Sequence, residues 1–511
     1  MAIILSALRF LMKIEKEIIK ILEERDLSPE ELSKAKRDLS KKHRLPMPTN
    51  VSVLRYYHKK GGKDEGVINT LKTRPVRSLS GVVNISVLTK PFPCPGECVF
   101  CPLQKDAPKS YLKNEPAVMR AILTEYSAKR QMKARINSLR ETGHPTNKIE
   151  LRIVGGTWSY YPKEYQEKFI KDCFDACNKK KSSSLKEAQK KNETADHRIV
   201  CLSIETRPDF INKEEIIRLR NMGVTMVELG VQSLFDDVLQ KCKRGHTQKE
   251  TKKATRLLKD AGFKVCHQVM LNLPGSSLKK DYLTFKRLFS NPAYRPDFLK
   301  IYPCLVIKEA PLYKIYKKGE YTPLSDKDLL RVLKKIKREV IPPYVRIQRL
   351  FRDIPSNSIA GGSKISNIRE MLQKENCACI RCNEVKNELI TSTRKEKIVY
   401  TASRGEEVFL TIKTKEKICA LLRLRFSERC IIKDAGMIRE LHTYGQQLYL
   451  KKKSEDAAQH RGMGKELVKM AEEEAKKRGK KRIAVISGVG AREYWRSLGY
   501  RRKRSYMIKD L

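Results

Sequence analysis

The 511-residue sequence predicts an α/β protein: a partial (β/α) barrel, with a basic helical extension before it and a second α/β module after it. Three observations carry that expectation. Short β-branched runs alternate with charged helical stretches from Arg74 to about Glu370. Three cysteines fall in one loop directly after the first of those runs, and a glycine-bearing loop opens a strongly amphipathic helix near the carboxyl end.

The extension comes first. Leu11, Ile14, Ile18 and Ile21 recur at helical spacing, and Ser28-Pro29-Glu30-Glu31 reads as a capping box with proline at the first helical position, opening a helix that carries Leu32, Ala35 and Leu39. The stretch 41–66 then interleaves Lys, Arg and His with Tyr56-Tyr57. That mixture suits a structured RNA, whose phosphates need cations and whose unstacked bases need rings. A solvated basic face would show the lysines without the rings. Composition agrees with a polyanionic partner: Lys and Arg number 108 against 59 Asp and Glu, a formal net charge of +49. The ion-rich surface of a heat-tolerant protein would be balanced instead. The 14 cysteines fall in local clusters, which points to metal chemistry in a reducing, cytoplasmic compartment. No apolar stretch approaches the ~20 residues of a membrane span, and MAIILSAL lacks the basic start and cleavage site of a secretory signal.

GVVNISVLTK, IELRIVGGT, HRIVCLSIET, VTMVELGVQS, FKVCHQVMLNLPG and DFLKIYPCLV read as barrel strands, so ligands are expected at their carboxyl ends. Cys94, Cys98 and Cys101 follow the first strand as C-x3-C-x2-C. This spacing gives a four-iron, four-sulfur cluster three thiolates and leaves one iron open to S-adenosylmethionine. A zinc knuckle or a redox pair are the alternatives, but zinc collects four ligands and no fourth Cys or His lies within the next turn of chain. Gly155-Gly156-Thr157 ends the second strand and lets backbone approach the amino and carboxyl groups of S-adenosylmethionine; alone, a glycine pair is more often a tight turn. Glu205, Glu228 and Gln232 are candidates for its ribose or amine, or for the substrate, and Lys109 and Lys148 for ammonium groups facing the same cavity.

Cys377, Cys379 and Cys382 form a second soft cluster, C-x-C-x2-C. A structural zinc clip is expected there, its fourth ligand coming from elsewhere in the fold or from solvent; three buried unligated thiols are the alternative. Beyond it VFLTIK, ICALLRLRF and MIRELHTYG read as strands leading to Gln459-His460-Arg461-Gly462-Met463-Gly464 and the helix KELVKMAEEEAKKRG. A glycine loop at a helix start cradles pyrophosphate through backbone N–H groups. Q-x-x-G-x-G in this place is the acetyl-CoA signature of the Gcn5-related acetyltransferase (GNAT) fold. The backbone of Glu440, Leu441, His442 and Thr443 is expected to share the grip on acetyl-CoA.

The whole chain resembles the catalytic subunit family of Elongator, on CPGECVFCP, PKSYLKNEPAVMRA, KIELRIVGGTW, SIETRPD, VELGVQS, KRGHT, KIYPCLVI, CACIRCNEV, RELHTYG, QHRGMG and REYWRSLGY. The resemblance implies four regions: a tRNA-binding extension over 1–75, a radical S-adenosylmethionine (radical SAM) partial barrel over 76–370, a zinc-binding linker over 371–390 and a GNAT domain over 391–511. It implies a tRNA wobble-uridine carboxymethyl synthase acting on the anticodon loop. A 5′-deoxyadenosyl radical takes hydrogen from the methyl group of acetyl-CoA, the carbon radical adds to carbon 5 of the base, and water releases CoA. It makes Lys148 an acetyl-CoA contact. One departure stands out: the position that usually holds a proton-donating tyrosine carries Trp495, so Tyr494, or a water held near it, is expected to assist thioester breakdown. A protein-lysine acetyltransferase is the alternative, and it leaves the cysteine loop without work. A non-catalytic tRNA-binding scaffold would have no reason to keep that loop either. The sequence leaves a homodimer or a larger assembly open.

Overall fold

The computed structural model describes residues 2–386, 388, 390, 392–445 and 462–511. Four helices, α1 (Ala2–Glu24), α2 (Pro29–His43), α3 (Asn50–Lys59) and α4 (Glu65–Leu71), enclose a core of Ile14, Ile18, Leu22, Leu32, Val53, Leu54, Val67 and Leu71. Helix α2 starts as its capping box requires: the Ser28 hydroxyl accepts from Glu31 N, and the Glu31 carboxylate accepts from Ser28 N at 2.7 Å. Tyr57 corrects the RNA-stacking expectation. Its ring is buried over Gly62 and its hydroxyl accepts from Asp64 N at 3.0 Å, so it is a core residue, leaving Tyr56 nearer the surface beneath Lys60.

The central sheet has seven parallel strands. In spatial order they are β1 (Val83–Leu88), β2 (Lys148–Val154), β3 (Arg198–Thr206), β4 (Met226–Gln232), β5 (Lys264–Leu271), β6 (Phe298–Pro303) and β8 (Arg346–Arg349), the curled sheet of a partial barrel. A separate two-stranded sheet is formed by β7 (Val306–Ile307), just after β6, pairing antiparallel with β9 (Ile359–Gly361), beyond β8. The sequence reading missed β8, whose four residues are mostly basic or polar. Alternation within each strand separates two environments. On β2, Ile149, Leu151 and Ile153 are buried in the core shared with the helices Ala128–Glu141 and Lys163–Cys177, while Lys148, Glu150, Arg152 and Val154 line a cavity inside the curl.

The carboxyl-terminal sheet runs β10 (Arg394–Ala402), β11 (Gly405–Thr414), β12 (Lys417–Phe426), β13 (Ala435–Thr443), β14 (Arg482–Val485), β16 (Tyr506–Asp510) and β15 (Arg501–Lys503). Every neighbouring pair is antiparallel except β13 with β14, which run parallel from Ala435–Arg482 to Ile438–Val485. There β14 stops, and β13 continues through Thr443 with no partner on that side among the described residues. This open edge faces the cavity.

The two sheets pack against each other through polar as well as apolar contacts. Gly488 and Gly490 lie so close to Val200 and Arg198 that a β-carbon on either would come within about 2.5 Å of them. Arg492 and Arg496 both bond Glu193, and the Tyr506 hydroxyl donates to Ala261 O at 2.9 Å. The linker fastens the same junction. Ile380 N donates to Val345 O and Val385 N to Ile418 O, both at 2.9 Å, which ties the barrel's last strand to β12. No helix among the described residues is long and apolar enough to cross a membrane.

Candidate active site

A single cavity of about 1370 Å³ runs from the cysteine loop through the barrel interior to the open edge of β13. Its length follows from β2. Lys148 and Val154, at opposite ends of that strand, both line it, and six steps of an extended chain span ~20 Å. Lys148 therefore faces the carboxyl-terminal module, and the glycine pair faces the cysteine loop.

At the carboxyl ends of the strands, Cys94, Cys98 and Cys101 line the cavity, with Cys98 and Cys101 buried. Arg244 Nη1 donates to Cys98 Sγ at 3.2 Å, and Arg207 reaches in beside Gly96 while donating to Gly245 O. The Cys101 thiol beside it, helped by Arg244 and Arg207, lowers the Cys98 pKa to about 5 against the opposing effect of burial. Lys109 Nζ donates to Gly96 O and so holds the loop. These residues fit a cluster bound to S-adenosylmethionine on the structure's own terms: three cysteine sulfurs beside guanidinium groups, with Arg207 Nη1 and Gln232 Oε1 buried and partnerless. Gly155 completes the cradle. Its φ is +128°, and a β-carbon there would lie 2.1 Å from Thr89 Oγ1, so no other residue fits while Tyr161 and Thr89 both donate to its carbonyl. Gly156, at φ +106°, lies beside the Lys109 carbonyl.

The barrel interior is polar, which the sequence reading did not foresee. Lys300 donates to Glu205 Oε1 at 3.0 Å and pairs with Glu228; Gln268 donates to both carboxylates, and the half-buried Tyr111 donates its hydroxyl to Glu205 Oε2 at 3.0 Å. Glu228 is thus tied down inside the strand, whereas Glu205 sits near the carboxyl end of β3 close to the cysteine loop. Gln232 ends β4 with φ +68°, past a register shift after Gly230 whose carbonyl accepts from Arg244. Sequence reasoning missed Lys300, Tyr111, Arg207 and Arg244. Only Arg207, directly after β3, had a positional signal; Lys300 lies within β6, Tyr111 and Arg244 lie in long connections, and lone cations do not stand out in a chain with 108 of them.

At the other end, Glu440, Leu441, His442 and Thr443 line the cavity along the stretch of β13 that pairs with β12 but that β14 does not reach, opposite Gly462 and Gly464. The helix Met463–Lys477 starts from Gly462 at φ +72° with no side-chain cap among the described residues, a start whose first N–H groups suit an anion. Met463 is buried. Gln459, His460 and Arg461 lie outside the described residues. Tyr494 and Trp495 separate cleanly. Trp495 is buried edge-on against Tyr500, while the Tyr494 hydroxyl lies 3.1 Å from where a β-carbon on Gly464 would stand. Tyr494 is exposed toward the cavity, and the desolvation it does have raises its pKa. Burial also lowers Lys148, with Arg198 adding to the effect, and lowers His442 to about 4.

Away from the cavity, the thiols of Cys377, Cys379 and Cys382 lie within 4.8 Å of one another, the one such set of three metal-ligating groups among the described residues. The Cys377 and Cys379 thiols hold Cys382 well below the usual thiol range, and Lys337 and Arg369 add to this. A thiolate is thus ready for a metal.

Family models match three stretches: the Radical SAM superfamily over 93–285, the Radical_SAM C-terminal domain over 296–376 and the Acetyltransferase (GNAT) family over 373–500. The chain is 43% identical over 492 residues to the tRNA uridine(34) acetyltransferase of Methanocaldococcus infernus, covering 91% of this chain and 92% of that one. It is 36% identical over 472 residues to human Elongator complex protein 3, covering 86% of each. A solved structure of the archaeal Methanocaldococcus infernus Elp3 with residues 1–46 deleted aligns with a TM-score of 0.73 at 39% identity, over 85% of this chain and all of the other.

Proposed function

The chain belongs to the family of tRNA uridine(34) acetyltransferases and Elongator complex protein 3, and from that premise we propose how its residues carry the reaction to a 5-carboxymethyluridine at the wobble position. The supporting observation is the shared cavity: the radical and acetyl-CoA sites are two ends of one space. A cluster held by Cys94, Cys98 and Cys101, with S-adenosylmethionine bound, supplies the hydrogen-abstracting radical chemistry.

The protein's own groups do the rest. Gly155 and Gly156 give close backbone approach, and Gln232 and Arg207 present unsatisfied polar atoms to the cosubstrate. Lys109 fixes the cysteine loop by holding Gly96 O. Glu205, oriented by Tyr111, Gln268 and Lys300, faces the entering base. Gly462 and Gly464 take the pyrophosphate of acetyl-CoA on the open N–H groups of their helix, and the free edge of β13 pairs with the amides of the pantetheine arm. Lys148 contacts the acetyl-CoA arm from the cavity wall, and Tyr494 delivers a proton to the departing CoA thiolate. The barrel excludes bulk water until thioester hydrolysis is due.

Cys377, Cys379 and Cys382 hold a structural zinc that clips the linker between barrel and GNAT domain. The basic helices α1 to α4 contact tRNA through phosphates, and the cations Arg74, Arg120 and Arg349 line the cavity. The clustering of the cysteines as metal ligands suits a reducing, cytoplasmic compartment. A protein-lysine acetyltransferase would leave the cysteine loop and the polar barrel interior idle. The deciding experiment is anaerobic incubation with reductant, S-adenosylmethionine, acetyl-CoA and tRNA, followed by nucleoside mass analysis. The expected product is 5-carboxymethyluridine, absent from a tRNA bearing another base at position 34; unmodified tRNA under all conditions overturns the reading.

A further inference from the structure

Strand β13 carries one residue too many. Its pairing with β12 runs Arg423–Glu440 and then Leu424–Ile438, which leaves Arg439 unpaired in a bulge. A bulge re-aims the side chain it frees. Here the Arg439 guanidinium turns out of its own sheet and into the base of the barrel, fully buried. Nη1 donates to Glu407 Oε2 at 2.8 Å and to Asp297 Oδ1 at 3.1 Å, while Nη2 donates to Asp297 Oδ2 and to Phe263 O.

Asp297 is the barrel's counterpart. It immediately precedes β6, accepts from Val265 N at 2.8 Å and takes Lys259 Nζ at 3.1 Å. Burial works against its negative charge, yet Arg439, Lys259 and Arg423 together hold its pKa far below the ordinary carboxylate range. Around this pair further charges close the set, each with a partner of opposite sign: Lys259 reaches Glu407 across the junction, and Arg425 bonds both Asp260 and Glu407.

Stability does not explain such a network. Replacing a buried ion set with apolar side chains of similar volume is commonly neutral or stabilising, so its distinctive contribution is direction. A guanidinium held by two carboxylates and a carbonyl has one position and one orientation. The residues on either side give that direction a use. Arg439 is followed at once by Glu440 to Thr443, the open edge facing the cavity, and Asp297 lies three residues before Lys300 in the barrel interior.

We propose that Arg439 is a positioning residue: its bond to Asp297 sets the register of the acetyl-CoA strand on the barrel, so that the acetyl methyl arrives where the radical is made. The proposal rests on the function argued above. Without that register acetyl-CoA still binds and S-adenosylmethionine is still cleaved, but the two events no longer meet.

Two variants test it. The charge-balanced Glu407→Gln/Arg439→Gln removes one cation and one anion and leaves Asp297 with Lys259; Arg439→Lys keeps the charge and loses the fork. For each, acetyl-CoA affinity is measured by titration calorimetry, 5-carboxymethyluridine formed per 5′-deoxyadenosine by mass analysis, and backbone exposure of 440–443 by amide hydrogen exchange. The expected result for the double variant is affinity within about threefold of wild type and a product ratio at least ~tenfold lower, since small misplacements of reacting groups are costly. Faster exchange at 440–443 should accompany it, and Arg439→Lys should fall between the double variant and wild type. A wild-type ratio in both variants overturns the proposal, and so does a parallel decline of ratio, affinity and melting temperature, which marks a merely structural role. If the double variant does not fold, Arg439→Lys decides on its ratio alone. A wild-type enzyme that binds acetyl-CoA but leaves uridine 34 unmodified would refute the functional reading and not the register.

Discussion

The two ends of the cavity are built on opposite principles. At the cysteine loop, side chains do the work: three thiols, two guanidinium groups and a lysine converge from loops at the ends of a parallel sheet. At the acetyl-CoA end backbone does most of it, through an uncapped helix start and a strand edge that its neighbour leaves free. A side-chain site is fragile to single substitutions. A backbone site tolerates them and fails when the scaffold that holds its strands apart gives way.

The sharpest way to break this contrast is Cys98→Ala. We expect 5′-deoxyadenosine formation to fall by at least ~10³-fold, with iron and sulfide content reduced, while acetyl-CoA affinity stays unchanged. A variant that still cleaves S-adenosylmethionine would show that the loop is not the cluster site. Next in size, Cys379→Ser or zinc chelation should cost roughly 3 kcal/mol of stability or more in urea unfolding, because a structural metal contributes folding energy directly. Both ends should then fail in step with the unfolded fraction; selective loss of one would place the metal at a reaction centre.

Tyr494→Phe probes a side chain proposed to act at the backbone end. CoA release stimulated by tRNA is expected to drop about a hundredfold with acetyl-CoA affinity intact. Wild-type release would return Tyr494 to a packing role. The smallest effect concerns His442, whose pKa burial lowers from 6.5 to about 4. A base depressed in the folded state contributes stability that is complete above pH 6.5 and is lost as pH falls toward 4, because the unfolded chain takes up the proton first. Unfolding free energy measured at pH 7 and pH 5 should therefore fall less in His442→Gln than in wild type, by about 2 kcal/mol. Equal slopes would show that His442 titrates normally.

The same contrast governs what the sequence discloses. Cys94, Cys98 and Cys101 announce themselves, because side-chain chemistry is written in residue types at fixed spacing. The free edge of β13 does not, since it depends on β14 ending at Val485, a fact of pairing with no local signature. The bulge at Arg439 is hidden for the same reason. Strands with clear β-branched runs were legible, but β8, with Arg346 and Gln348 turned to the cavity, and β10, with polar and apolar residues alternating on an edge, were not. Tyr57 misled because aromatics among cations resemble an RNA surface; its place beside Val53 and Leu54 on α3 was the better clue. Lys109 and Lys148 looked like neighbours in one cavity and instead mark its two ends.

One consequence of the alternation on β2 bears on how this gene can vary. Odd-numbered positions from Ile149 to Ile153 face helices, and even-numbered ones from Lys148 to Val154 face the cavity, so the strand carries two interleaved messages in one reading frame. A one-codon deletion inside it would trade them wholesale, turning Glu150 and Arg152 into the oily core and leucine and isoleucine into the path of the substrate. Natural length variation should therefore be absent between Lys148 and Gly156 and should collect in the connection after Cys177, where Lys179, Lys180 and Lys181 sit in no helix or strand.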